Sequence, residues 1–371
     1  MATYYIRKEV VWSLLGQREG ARTFAPGPTR RLPWVDATEA EVDPSALAQP
    51  RAAQSPKGFF LAAAESVGRY GPQVSQDDSP GDSARPDAPV AAEEAPAGDA
   101  PPVATETQPL ILVGVRACEL RARRYLDKVM LEGAFEDPLY RQRRQETTVI
   151  SCDCVDCTDS CFCTLVGGLP YATEGYDVNL TPTEGGMVVE VATERGNQWL
   201  GDRASSLTRA TGQQLAQRQE IRQKMVRRLQ LQNAKFTFTA SDESQPALPD
   251  DGDDAWQAFA ADCVECGACT HICPTCHCFY LYDHALGPEE FERIRTWDSC
   301  LLSTYHRMAG GVHMKLTPRP RLSSRLANRV LHKFTYSPQQ YSLLGCVGCG
   351  RCVDACLGAI DIRQVVQELG K

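Results

Sequence analysis

The amino-acid sequence predicts an α+β protein: an N-terminal α/β region, then a mainly helical region built around cysteines. Three observations carry this. The apolar run LILVGV (110–115), the amphipathic stretch CELRARRYLDKVML (118–131) and the run TTVISC (147–152) follow one another as strand, helix and strand. Beyond about residue 254 the chain reads as helices and loops around runs of cysteine. Between 72 and 108 the composition shifts to Pro, Ala, Asp, Glu and Ser, which sets the N-terminal region apart from the strand–helix–strand unit.

The elements follow in order. Residues 1–71 mix short apolar stretches with turn residues, and SPKGFFLAAAESVGRYG (55–71) is expected to hold one helix. The segment 72–108 carries eight acidic residues and a single Arg85 between Asp77 and Glu106, too little apolar surface to offset its ordering entropy. A flexible insertion or linker is expected there. Residues 109–245 form the α/β domain, with a further strand at MVVEVA (187–192) and a basic helical stretch over 206–233. The polar break at 241–254 opens the last domain, 246–371.

Composition excludes some function classes. A net charge of −8 argues against whole-protein affinity for nucleic acid. No apolar run is long enough for a membrane span, and MATYYIRKEVVWSLLGQREG lacks the apolar core of a signal peptide, so a cytoplasmic protein is expected.

In a reducing compartment, seventeen cysteines point to metal ligation rather than disulfides. Their spacing agrees. Cys263, Cys266, Cys269 and Cys273 form one run, and Cys346, Cys349, Cys352 and Cys356 a second, both spaced C-x2-C-x2-C-x3-C. That is the pattern of bacterial [4Fe–4S] sites. Two-residue gaps let three thiolates grip three corners of a cubane, and Gly267, Gly348 and Gly350 let the loops wrap closely. In two-cluster ferredoxins the fourth cysteine ligates the other cluster. One cluster is then expected on Cys263, Cys266, Cys269 and Cys356, the other on Cys346, Cys349, Cys352 and Cys273. The C-terminal region is accordingly a two-cluster ferredoxin-like domain with a long insertion. Zinc is the alternative, but it usually takes separated Cys pairs or mixed Cys and His. Cys356 is followed by Leu357 where Cys273 has Pro274, which alters the loop exit without removing a ligand.

The phrases GVRACEL, CFC, CPTCHC, WDSC with MAGG, HKFTY and LLGCVGCGRC, in this order over 110–362, resemble the β subunit of cytosolic sulfhydrogenases and the corresponding iron–sulfur subunit of anaerobic sulfite reductase. SPKGFF matches more weakly, and the acidic segment lies outside the pattern. The resemblance implies an iron–sulfur chain relaying electrons between a flavin- and NAD(P)-binding reductase subunit and a catalytic subunit carrying nickel–iron or sirohaem.

A third [4Fe–4S] cluster is expected in the α/β domain. Strands 110–115 and 147–152 should pair, placing Cys118 and Cys152 at one end of a sheet, and the resemblance adds CFC. Cys118, Cys152, Cys161 and Cys163 are favoured, with Cys154 and Cys157 as rivals and zinc as the competing metal. Cys276, Cys278 and Cys300 are read as packing cysteines, with a further cluster as the alternative. His271 and His277 are assigned no role. The stretch 301–340 holds seven Arg or Lys and no acid, which reads as a solvated face or as a field favouring reduced clusters.

No P-loop is present, Gly345 to Gly350 does not match a dinucleotide fingerprint, and no nucleophile is paired with a base. The expected function is a non-catalytic electron-transfer subunit of a multisubunit oxidoreductase, foremost a nickel–iron hydrogenase linked to NAD(P). The same role in a sulfite reductase or heterodisulfide-reductase-linked complex is the alternative, and a cluster-based redox sensor is the reading from a different class.

Overall fold

LILVGV is apolar at every position but its glycine because both faces of the strand are covered, as the centre of a parallel sheet requires. A computed structural model describes residues 2–15, 20–27, 34–37, 44–71, 108–306 and 317–370. The acidic segment falls almost wholly outside the described residues, as do MAGG and Lys315. Eleven strands are described: β1 (Ala2–Arg7), β2 (Arg22–Pro26), β3 (Trp34–Asp36), β4 (Ala64–Tyr70), β5 (Leu110–Val115), β6 (Thr147–Cys152), β7 (Val178–Thr183), β8 (Gly186–Val191), β9 (Thr208–Arg209), β10 (Phe279–Ala285) and β11 (Phe291–Trp297). Eight of them form one sheet in the order β3-β2-β5-β6-β7-β8-β1-β9, and the other three a second, β10-β11-β4. Strands β2, β5, β6 and β7 run parallel, and antiparallel strands close both sides. The architecture is α+β, as expected.

The longer helices follow their capping signals. Helix α1 (Ala117–Leu131) lies between β5 and β6, with Glu119 reaching back to accept the Arg116 backbone N–H at 2.7 Å. Helix α2 (Pro138–Glu146) begins with proline, and Asp137 accepts from the Tyr140 N–H. The basic stretch becomes α3 (Gly212–Gln232), which starts at Thr211 because Thr211 and Gln214 form a capping box. In the C-terminal region, α4 (Leu322–Leu331) runs on into a π-helical turn (His332–Tyr336), and α5 (Ile362–Leu369) ends the described chain.

Two expectations change. The single helix over 55–71 is a four-residue turn, Lys57–Phe60, followed by β4. The strand forms because β11, more than 200 residues away, supplies its hydrogen bonds, with Ala64 opposite Thr296. The C-terminal region also contains the β10–β11 hairpin inside its long insertion, so it is less purely helical than predicted.

Packing ties the regions together. Phe162, Phe236, Trp256, Val330, Phe334 and Ile362 share one buried cluster, so the 160s loop packs directly on the C-terminal helices. Arg116, 1% exposed, sits at the C-terminal ends of β5 and β6 and donates to the carbonyls of Asp153 (2.9 Å), Leu47 (2.9 Å) and Gln49 (2.8 Å). That edge of a parallel sheet is where α/β folds place their sites.

Candidate metal centres

The two cysteine runs adopt the same backbone. The residue before each second cysteine has positive φ, Glu265 at 54° and Gly348 at 66°. So does the glycine after it, Gly267 at 67° and Gly350 at 72°. A short helical turn then carries the third cysteine, Ala268–His271 in one run and Arg351–Asp354 in the other. Glu265 stands where only glycine is comfortable. Its carboxylate accepts from Arg325 Nη2 at 2.7 Å, which anchors the loop.

Among the described residues, thiols line three cavities. Cys263, Cys266, Cys269 and Cys356 line cavity I, together with Cys352. Cys273, Cys346, Cys349 and Cys352 line cavity II. Each set of four expected from the exchange of fourth cysteines therefore surrounds one void. Cavity III is lined by Cys118, Cys154, Cys157, Cys161 and Cys163, with Cys349 on its wall. Cavities I and II thus share Cys352, and II and III share Cys349, so the three lie in a row.

Cys152 does not join cavity III. It ends β6 at 1% exposure, inside the apolar cluster with Val178 and Leu180, and its thiol donates to the Leu47 carbonyl at 3.5 Å. The structure brings Cys118, Cys161 and Cys163 together with Cys154 and Cys157 instead. Cys157 directs its thiol to Gln232 Oε1 at 3.2 Å.

Cys276, Cys278 and Cys300 gather at the base of the β10–β11 hairpin, where the Asp298 N–H donates to the Cys278 carbonyl at 2.9 Å. The Cys278 and Cys300 thiols hydrogen-bond to one another, and Cys276 bonds to Cys273. These three line none of the thiol cavities described. His277 is turned away, its ring 5.9 Å from that of Tyr125 and its Nδ1 3.1 Å from the Thr275 carbonyl.

Iron–sulfur cubanes fit this donor set. Burial pushes the thiols of Cys163 and Cys352 up to about 12 and that of Cys346 to about 11, so without a metal they would hold their protons. Bound iron displaces those protons. Cys273 is the contrast: a hydrogen bond from Cys276 and the Lys333 ammonium, 3.2 Å from its sulfur, hold it well below the usual thiol range. A second sign is an orphaned donor. Arg329, 5% exposed on the wall of cavity I, has Nε and Nη2 buried with no hydrogen-bond partner among the described residues. Sulfur acceptors in the cavities would supply one.

Sequence reading missed the cations that hold the site. Arg51, 3% exposed, donates to the Cys349 carbonyl and, at 2.9 Å, to Asp354. Arg351, fully buried, pairs with Glu119 of α1 and donates to the carbonyls of Ala52 and Ala53. Isolated arginines in polar sequence give no signal. Arg325, Arg329 and Lys333 did: their four-residue spacing is that of one helix face.

Gly350 allows a direct check. A Cβ there would strike the Ser160 carbonyl oxygen, and its φ of 72° is already unfavourable for other residues. Gly350→Ala is expected to destabilise the protein by about 3 kcal/mol. Gly252→Ala, where a Cβ meets open space, should change stability by less than about 0.5 kcal/mol. Paired denaturant melts read both, and equal midpoints would contradict this packing.

Comparison with known proteins agrees with the geometry. The family described as 4Fe-4S dicluster domain matches residues 262–360, spanning both cysteine runs. Sulfhydrogenase 2 subunit beta from Pyrococcus furiosus is 28% identical over 261 residues, covering 70% of this chain and 73% of its own. Among the described residues no helix is long and apolar enough to cross a membrane. With three thiol-lined cavities behind it, the chain is similar to this sulfhydrogenase β subunit, and its residues 262–360 match a 4Fe-4S dicluster domain.

Proposed function

We propose that this chain is the electron relay of a multisubunit oxidoreductase of hydrogenase type, linking a flavin- and NAD(P)-binding subunit to a catalytic subunit. The observation that carries the proposal is the row of three thiol cavities joined through Cys352 and Cys349. Centre I takes Cys263, Cys266, Cys269 and Cys356, and centre II takes Cys346, Cys349, Cys352 and Cys273. Centre III takes Cys118, Cys154, Cys161 and Cys163, with Cys157 left on Gln232. A [4Fe–4S] cubane, when bound, supplies a one-electron station whose potential the surroundings set.

The chain's own residues do the rest. Phe162 and Ile362, both buried, line cavity II, so the middle of the row is walled by core residues. Cavity I opens to the surface, where Val264 and Leu357 are 61% and 78% exposed at its rim. That apolar rim suits the approach of a partner's redox group. The hydrogenase reading is preferred to sulfite reductase because the relative found is a sulfhydrogenase subunit.

The test uses anaerobically purified protein. About twelve iron atoms per chain are expected, the arithmetic of three four-iron cubanes. Dithionite should reduce it, whereas NADH and NADPH alone should not, because a nicotinamide delivers its two electrons together as one hydride, which a flavin must split into single electrons. Adding the flavoprotein partner should restore reduction. Zinc in place of iron, or direct reduction by a nicotinamide, would defeat the proposal.

A further inference from the structure

Buried cations without carboxylate partners are costly unless an anion comes to them. Arg325, Arg329 and Lys333 fall on one face of α4 and its π-helical continuation, at 4%, 5% and 4% exposure. Arg325 is neutralised by Glu265 at 2.7 Å. The other two are not paired with a carboxylate among the described residues. Lys333 Nζ contacts only Cys273 Sγ (3.2 Å), Thr275 Oγ1 (3.0 Å) and the Gly345 carbonyl (3.1 Å) in the described structure. Arg329 has two buried nitrogens without a partner there.

Their placement is specific. Arg329 lines cavity I beside Cys352, the cysteine common to cavities I and II. Lys333 lines cavity II. The guanidinium therefore stands at the junction of two centres, and the ammonium stands behind one of them.

We propose that Arg329 is a positioning residue that donates hydrogen bonds to sulfur atoms of both centre I and centre II and holds their reduced states, with Lys333 doing the same for centre II. Each electron added to a cubane adds one negative charge, and a fixed cation in a water-excluded site stabilises the reduced form. Hydrogen bonds to the sulfurs act in the same direction. Arg329 thus raises two potentials together and keeps neighbouring stations close in energy. This rests on the relay reading, but it can fail separately: the relay fails if the wild-type chain carries no clusters, the inference fails if potentials ignore the cations.

The experiment is a redox titration of the full chain, followed by electron paramagnetic resonance, with iron content measured alongside. Arg329→Gln should lower the equilibrium constant for reducing centres I and II at least tenfold, about 59 mV for a one-electron couple. Centre III should move less and serves as the internal reference. Arg329→Lys, which keeps the charge, should recover most of the shift. Lys333→Gln should lower centre II more than centre I, and it carries the test if Arg329→Gln does not load iron. Wild-type potentials in iron-loaded glutamine variants would overturn the proposal. So would loss of iron from both, which would make the cations assembly elements instead.

Discussion

Cys273→Ser is expected to strip the centre formed with Cys346, Cys349 and Cys352 while leaving the centre of its own cysteine run in place. Cys273 lies four residues after Cys269 in sequence, yet it lines cavity II, whereas Cys263, Cys266 and Cys269 line cavity I with Cys356. Its thiol is also held low, by a hydrogen bond from Cys276 and by the Lys333 ammonium. Serine keeps the volume but is a poor ligand for iron–sulfur clusters, so about four iron atoms should be lost. The reciprocal change, Cys356→Ser, should spare centre II and remove centre I. Iron analysis with the spectrum of the remaining centre reads both variants. Loss of the Cys263–Cys266–Cys269 centre from Cys273→Ser, with centre II intact, would sink the exchanged ligation.

The second large effect separates two cysteines only two residues apart. Cys154→Ser is expected to remove about four iron atoms by emptying centre III. Cys152→Ser should keep full iron content, because Cys152 is packed with Val178 and Leu180 and its sulfur engages the Leu47 and Asp153 carbonyls and the Arg116 guanidinium rather than cavity III. A serine hydroxyl can make the same bond to Leu47, so the cost should be about 1 kcal/mol from placing a more polar group in an apolar core. Parallel iron assays and melts decide it. Iron loss from Cys152→Ser together with an iron-replete Cys154→Ser would restore the ligand set favoured from sequence.

The loops of the two cysteine runs were legible because the backbone of a C-x2-C-x2-C segment is set locally. Spacing and small residues settle the loop, and the positive φ at Gly267, Gly348 and Gly350 bears this out. The strand–helix–strand unit was legible for a similar reason, since a buried parallel strand and an amphipathic helix each write their period into a short window. Neither needs knowledge of what packs against it.

What the sequence by itself determined is therefore local: an α+β chain, a dicluster segment, and a cysteine-rich turn after β6. Tertiary structure decided the rest. Residues 64–70 are a strand only because β11 offers its edge, a pairing that no window around Ala64 contains. Cys152 and Cys154 cannot be told apart by spacing, because the choice depends on which face of β6 is covered and where the strand ends. Cys152 still belongs to the strand and points into the core, while Cys154 follows it into the cavity. The cations of 301–340 were visible as charge, but their direction was not. Helix packing turned Arg329 and Lys333 inward, where water no longer screens them and the charge can act on the centres.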